Sequence, residues 1–249
     1  MKIRSLTAPN PGPFTLDGTR TYLLGETAVI DPGPEIESHI EAIHRAMPRL
    51  QTILITHRHG DHAPAAVPLK ERTGARIIAP PDVLEVVDQR VNGGESLVIE
   101  ETHIAVIATP GHTREHVCYL TDDGDLFTGD TILGSGTTAI FPPDGNMADY
   151  LRSLRTLREL EPKRIHPAHG PDRDDAVALI DEYLAHRLER ERQVLAAIDA
   201  GATTLTELRE RIYPRLDARL HRAAEIQMQA HVIKLVEEGR VVGWLMVDG

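Results

Sequence analysis

Gln51-Thr52-Ile53-Leu54-Ile55-Thr56-His57-Arg58-His59-Gly60-Asp61-His62 is the stretch whose reading decides the fold. Its first half is short, apolar and β-branched, the pattern of a buried strand. Its second half sets three histidines and an aspartate within six residues, directly at the strand's end. Side chains two apart on an extended segment point the same way, so His57 and His59 share one side, while Asp61 and His62, at a helix start, can face another. Imidazole and carboxylate are ligands for zinc and similar first-row cations, and a two-metal site needs about three or four protein ligands per ion. One short stretch can therefore feed two metals.

Working outward, three more strands end the same way. Ile104–Ala108 runs into Thr109-Pro110-Gly111-His112, Asp125–Thr128 into Gly129-Asp130, and Arg164-Ile165 into His166-Pro167-Ala168-His169-Gly170. Any one of these alone is an ordinary turn or surface feature. Four strand ends that each deliver His or Asp argue for one convergent site, because loops springing from a rigid sheet hold ligands to the tolerance a metal needs. His116 reads as a hydrogen-bonded strand histidine or a group orienting a ligand. His166 is expected to face away from the cluster, and His39, His44, His103, His186, His221 and His231 are expected to be solvated. The loop Gly134–Thr138 could line a substrate mouth, though a short Gly/Ser loop is mostly just a loop.

The apolar spacing of Ile36, Ile40 and Ile43, and of Leu151, Leu154 and Leu157, predicts packing helices over Glu35–Met47 and Asp149–Leu160. After Pro171 and Asp172 a long helix is predicted, with Val177, Ile180, Leu184 and Leu188 on its inner face, ended by Gly201. Thr204 with Glu207 gives a capping-box signature for a short helix closed by Pro214. A third helix near Leu220–Glu238 and a β-like Val241–Val247 complete a small winged-helix-like unit. The expected division is 1–172 for the catalytic part and 173–249 for the tail.

With 249 residues, 41% of them hydrophobic, the chain can bury a full core. Its apolar runs fall far short of the roughly 20 residues that cross a bilayer. No signal-peptide pattern follows Met1, and the single Cys118 sits in an apolar segment as a small buried hydrophobe. A cytoplasmic setting with no membrane or protein partner is expected. The net charge of −11 falls wholly on residues 1–186, since 187–249 carry ten charges of each sign. Such a surface repels polyanions in general, and aromatics at 4% offer few rings for base stacking.

Together, His57-Arg58-His59-Gly60-Asp61-His62, Gly111-His112-Thr113, Gly129-Asp130 and His169-Gly170 resemble the metallo-β-lactamase superfamily over most of residues 15–172. The resemblance implies an α/β (α+β) fold, the αββα sandwich of two sheets flanked by helices with the metals at one edge. It implies that His57, His59 and His112 hold one metal, that Asp61, His62 and His169 hold the second, and that Asp130 bridges them. The 39-residue interval from Asp130 to His169 is too short for the inserted domain of the β-CASP nucleases. The first motif lacks the glutamate of flavodiiron proteins, and no cysteine stands where secreted β-lactamases place a ligand. Asn10-Pro11-Gly12-Pro13, Asp17-Gly18-Thr19, Gly129-Asp130-Thr131-Ile132-Leu133-Gly134 and the tail are most similar to the β-lactamase-like protein 2 group, some members of which act as single-strand endoribonucleases. Arg20 departs from that group, which usually shows Asn there.

The expected activity is hydrolysis by a hydroxide held between two zinc ions, or manganese or iron, with Asp61 and Asp130 as the carboxylates at the reacting centre. Two substrate classes stand side by side: single-stranded RNA, from the group resemblance, and a small acyl thioester, from the ligand pattern shared with glyoxalase II. A third class, a DNA-binding regulator using the winged-helix-like tail, is disfavoured by the tail's balanced charge.

Overall fold

A computed structural model describes residues 1–244. Among these residues eleven strands form two sheets. The first has the order β1 (Ile3–Thr7), β2 (Arg20–Leu24), β3 (Ala28–Ile30), β4 (Thr52–Leu54), β5 (Arg76–Ala79), β6 (Gln89–Arg90). The second runs β11 (Arg164–Pro167), β10 (Asp125–Gly129), β9 (Val117–Thr121), β8 (Thr102–Ala108), β7 (Ser96–Ile99). Period-two alternation sorts their side chains into layers. Leu23, Val29, Ile53 and Ile77 point to one face of the first sheet, where they pack with Ile40, Ile43 and Met47 at α1 (Glu37–Ala46) and Leu69 of α2 (Ala66–Thr73). Their neighbours Tyr22, Leu24, Ile30, Leu54 and Ile78 point the other way and meet Ile104, Val106, Val117, Tyr119 and Phe127 of the second sheet. The outer face of that sheet, with Cys118, Leu126 and Ile165, is covered by α3 (Met147–Glu159) and the first half of α4 (Ala176–Asp199). The result is the αββα sandwich, helix–sheet–sheet–helix, that the family resemblance implied.

α4 belongs to two cores. Ala176, Leu179, Ile180 and Tyr183 join the sandwich, while Val194 and Ala197 join a helical cluster with Leu208 of α5 (Leu205–Ile212) and Met228, Val232 and Leu235 of α6 (His221–Glu237). The inner face of α4 differs from the expected one: Leu188 is 45% exposed, and Arg187 and Glu191 are buried instead. Glu191 is inside because it accepts an ion pair from Lys234 of α6 at 2.6 Å. At the start of α5 the Thr204 hydroxyl accepts from Glu207 N, whereas the Glu207 carboxylate reaches Thr203 N, one residue short of a reciprocal box. Of the β segment expected at Val241–Val247, residues 241–244 form no strand and 245–247 lie outside the described residues. Among the described residues no helix is long and apolar enough to cross a membrane.

Candidate metal centre

The ends of β4, β8, β10 and β11 converge at one edge of the sandwich, and the seven residues singled out there meet. Nε2 of His57 and Nε2 of His112 each lie 3.0 Å from Nδ1 of His59. Oδ2 of Asp130 is 3.3 Å from His112 Nε2, while its Oδ1 is 3.4 Å from His62 Nε2 and 3.2 Å from His169 Nε2. Asp61 Oδ2 closes the second group at 3.4 Å from His62 and 3.2 Å from His169. Two candidate ligand sets result, one from His57, His59, His112 and Asp130, the other from Asp61, His62 and His169. Asp61 and His62 sit in a turn that precedes α2, which begins only at Ala66.

Glycines let two of these residues reach the cluster. Gly129, before Asp130, has φ +47°, and a Cβ there would lie 2.5 Å from the Thr56 hydroxyl and 2.8 Å from His116 Nε2. Gly111, before His112, has φ +140° and leaves no room for a Cβ against the backbone of Tyr150.

The ring orientations are fixed from behind. Asp31, buried just beyond β3, accepts from His62 Nδ1 at 2.9 Å, from the Thr56 hydroxyl at 2.7 Å and from Thr56 N at 2.8 Å. With its proton given to Asp31, the Thr56 hydroxyl accepts from His57 Nδ1 at 2.9 Å. His112 Nδ1 donates to Ala139 O at 2.8 Å and His169 Nδ1 to Gly18 O at 3.4 Å. In its neutral form each of these four rings thereby presents Nε2 without hydrogen to the cluster, the tautomer a cation requires. Asp31 also lies near His57 and His62 as a third acidic group, but it faces their outward nitrogens, and the hydrogen bonds account for it.

The donor set fits metal. Nε2 of His62 and Oδ1 of Asp130 are buried and make no hydrogen bond, although each faces the cluster. Ligands at about 2.0–2.1 Å around a tetrahedral zinc stand about 3.3–3.4 Å apart, close to the 3.0–3.4 Å seen here. Electrostatics agree. Burial opposes charge on His62, but Asp130, Asp61 and Asp31 outweigh it and raise its pKa well above the usual value. Burial likewise opposes ionisation of Asp130, yet the charge of His62 and the close approach of His112 and His169 hold its carboxyl well below the usual range. His59 moves down to about 4 through burial and the neighbouring His112 and His62. Against burial, the carboxylates of Asp130 and Asp61 at 3.2 Å from its Nε2 lift His169 to about 9.

His116 lies behind the cluster. It stacks on His57 at 4.8 Å between ring centroids, and its Nε2 accepts from Asp130 N at 3.3 Å. His166 turns away, bonded to Asp125 at 2.9 Å. Two histidines expected to be solvated are instead buried: His39, bonded to the Thr21 hydroxyl at 2.9 Å, and His231, enclosed by α4 and the cavity below. Cys118 is buried as expected, and burial pushes its thiol up to about 12. Arg20 pairs with Asp172 at 3.1 Å, next to the β11 loop that carries His169.

A cavity of about 710 Å³ opens on His59, Asp61, His112, Asp130 and His169. Ser135–Thr138 form part of its wall, as the Gly/Ser loop suggested, and Phe14, Leu16, Leu133 and Phe141 form another. Sequence reasoning missed the far side, built by Arg187 and Arg190 of α4, Tyr213 and Leu216, and Ala224, Gln227 and His231 of α6. It also missed Asp31, although Val29-Ile30-Asp31 repeats the strand-then-acid pattern of β10.

An αββα sandwich carrying a His/Asp cluster fit for metal at its sheet ends defines a class, the metal-dependent hydrolases of that scaffold. Residues 15–169 match the family model of the metallo-β-lactamase superfamily, and residues 204–243 that of the β-lactamase associated winged helix domain. The chain is 33% identical to a Beta-lactamase-like protein 2 homolog of Caenorhabditis elegans, over 93% of this chain and 83% of that one. It is also 33% identical to an atrochrysone carboxyl ACP thioesterase of Aspergillus fumigatus, over 84% of this chain and 72% of that one. A solved β-lactamase domain protein from Burkholderia ambifaria shares the fold with a TM-score of 0.84 at 22% identity, covering 96% and 87%. The chain belongs to the metallo-β-lactamase superfamily, and it is a hydrolase of that superfamily.

Proposed function

We propose that the protein hydrolyses acyl thioesters at a two-cation centre, with zinc as the metal. His57, His59 and His112 would hold one ion, Asp61, His62 and His169 the other, and Asp130, with an oxygen toward each set, would bridge them. When bound, the two cations supply a water of lowered pKa and polarise the oxygen of the carbonyl under attack. Residues 1–172 carry this chemistry in our reading, and the tail, 173–249, supplies the far wall of the cavity.

The observation that carries the reading is the cavity itself. Most of the surface its wall presents is apolar, it is of the size that takes one small organic group, and it opens on the cluster. An acyl chain is buried favourably in such a space. Single-stranded RNA, the other class the sequence raised, needs an open groove that tracks a run of successive phosphates and bases. The leaving group agrees: Asp61 and Asp130 are both held as carboxylates, through His62 in each case, against burial that would raise them. Neither can donate a proton at neutral pH. A thiol, with a pKa of about 8.5, leaves as thiolate without that help, whereas the alkoxide of a phosphodiester has more need of an acid.

The test is a side-by-side assay of the zinc-loaded protein on acyl-coenzyme A and on a single-stranded RNA oligonucleotide. Thiol release without RNA cleavage is expected. RNA cleavage with no thiol release overturns the proposal.

A further inference from the structure

The α4 wall of the cavity holds a charge with no counter-charge. Arg187 is 2% exposed, and its guanidinium reaches only neutral partners: the Thr137 hydroxyl at 2.6 Å, Thr138 O, and Gln227 Oε1 at 3.2 Å. It also lies over the Tyr150 ring at 5.3 Å. Arg190, one turn along α4, bonds Gln193 Oε1 at 2.6 Å and covers the Tyr213 ring at 4.2 Å. Among the described residues neither arginine has a carboxylate partner. The Nε atoms of both, and both ring nitrogens of the fully buried His231, are buried without any hydrogen-bond partner. All three residues line the cavity.

The same helices neutralise their other buried cations. Lys234 of α6 pairs with Glu191 at 2.6 Å and Glu238 at 2.8 Å, and Arg209 of α5 pairs with Glu225 at 3.0 Å. Burying a guanidinium uncompensated is costly, and a bound anion removes that cost while satisfying the free donors.

We propose that Arg187 and Arg190, with Gln227 and His231, form an anion subsite that takes a carboxylate at the far end of the substrate's acyl group. This rests on the thioesterase reading and narrows it to acyl groups that are themselves acids. The anion belongs to the acyl side because Arg187 and His231 are buried, whereas a bulky thiol carrier stays on the exposed rim, where Phe14 and Leu220 are 61% and 50% exposed. The acyl chain is short. Arg187 holds the carbonyl of Thr138 and the metal-side His112 holds that of Ala139, the next residue.

The test compares glutaryl and valeryl thioesters of N-acetylcysteamine on the zinc-loaded enzyme, and adds free glutarate and valerate in thermal unfolding. The two acyl chains have the same carbon count and differ in the terminal carboxylate. We expect kcat/KM to favour glutaryl at least tenfold, Arg190→Gln and the near-isosteric Arg187→Met to bring the ratio toward one, and Arg190→Lys to keep part of it. Glutarate should raise the melting temperature more than valerate in wild type and lose that advantage in Arg190→Gln. Equal hydrolysis of the two thioesters overturns the subsite and leaves the thioesterase reading intact. If neither thioester is hydrolysed, that reading falls and the acyl-acid assignment falls with it; an Arg190-dependent glutarate advantage would then uphold an anion site alone. Glutarate that stabilises no more than valerate overturns the subsite whatever the enzyme hydrolyses.

Discussion

Asp31→Asn tests how much the cluster depends on one carboxylate that touches no part of the cavity. Oδ2 of Asp31 accepts from both His62 Nδ1 and the Thr56 hydroxyl, and Oδ1 accepts from Thr56 N. An amide has one oxygen and one NH2 group. Placed with its oxygen toward His62, it sets NH2 against the Thr56 N–H; flipped, it sets NH2 against His62 Nδ1–H. Either way a buried donor faces a donor, which costs about 1–3 kcal/mol of folding stability. The flipped state also drives the His62 proton to Nε2, where it blocks a ligand position. Losing a partner of this kind weakens metal binding by about 10–100-fold, or about 1.4–2.7 kcal/mol. The weaker cation should be the one held by Asp61, His62 and His169, because His57 feels Asp31 only through Thr56. Graded chelator titration read by elemental analysis measures the affinity, and urea unfolding of the chelated protein measures the stability. Two cations retained at wild-type chelator resistance, with an unshifted urea midpoint, would refute the reasoning.

Asp130→Ala and His112→Ala should each abolish hydrolysis and lower the bound metal below two per chain; full activity in either rejects the metal assignment. His169 is lifted to about 9 by Asp130 and Asp61 against burial, so in the chelated protein it carries a proton at neutral pH that a cation must displace. Zinc affinity should therefore climb with pH and level off above about 9, with proton release in calorimetry, and an affinity flat from pH 6 to 9 contradicts this. For His231, burial first and then Arg187 and Lys234 push the pKa down to about 3. The unfolded chain, titrating near 6.5, binds that proton more readily. Its contribution to stability is thus complete above about pH 6.5 and lost as pH falls toward 3, by about 1.4 kcal/mol per pH unit. Urea midpoints at pH 7 and pH 5 should differ less in His231→Leu than in wild type; an equal acid loss in both removes His231 as the cause.

The sequence alone determined the elements and the candidate ligands. Strand and helix periodicities are local, and so are the spacings of His57, His59, Asp61 and His62, so a reader of the chain can place them before any packing is known. The repetition at Gly111-His112, Gly129-Asp130 and His169 then makes convergence the economical reading. Asp31 followed the same grammar but stood alone in its segment, and a single acid after a strand carries no signal until His62 is seen beside it. Only tertiary structure decided that His231 and Arg187 lie inside, because a polar residue on a helix is solvated or buried according to what packs over it. Here α6, some 40 residues further along, covers α4 and turns a helix face into a wall of the cavity. Ligand identity is short-range information and survives in the sequence. The shape and charge of the space above those ligands arise from contacts between Thr137, Arg187 and Gln227, roughly 40 to 50 positions apart, and no local pattern encodes them.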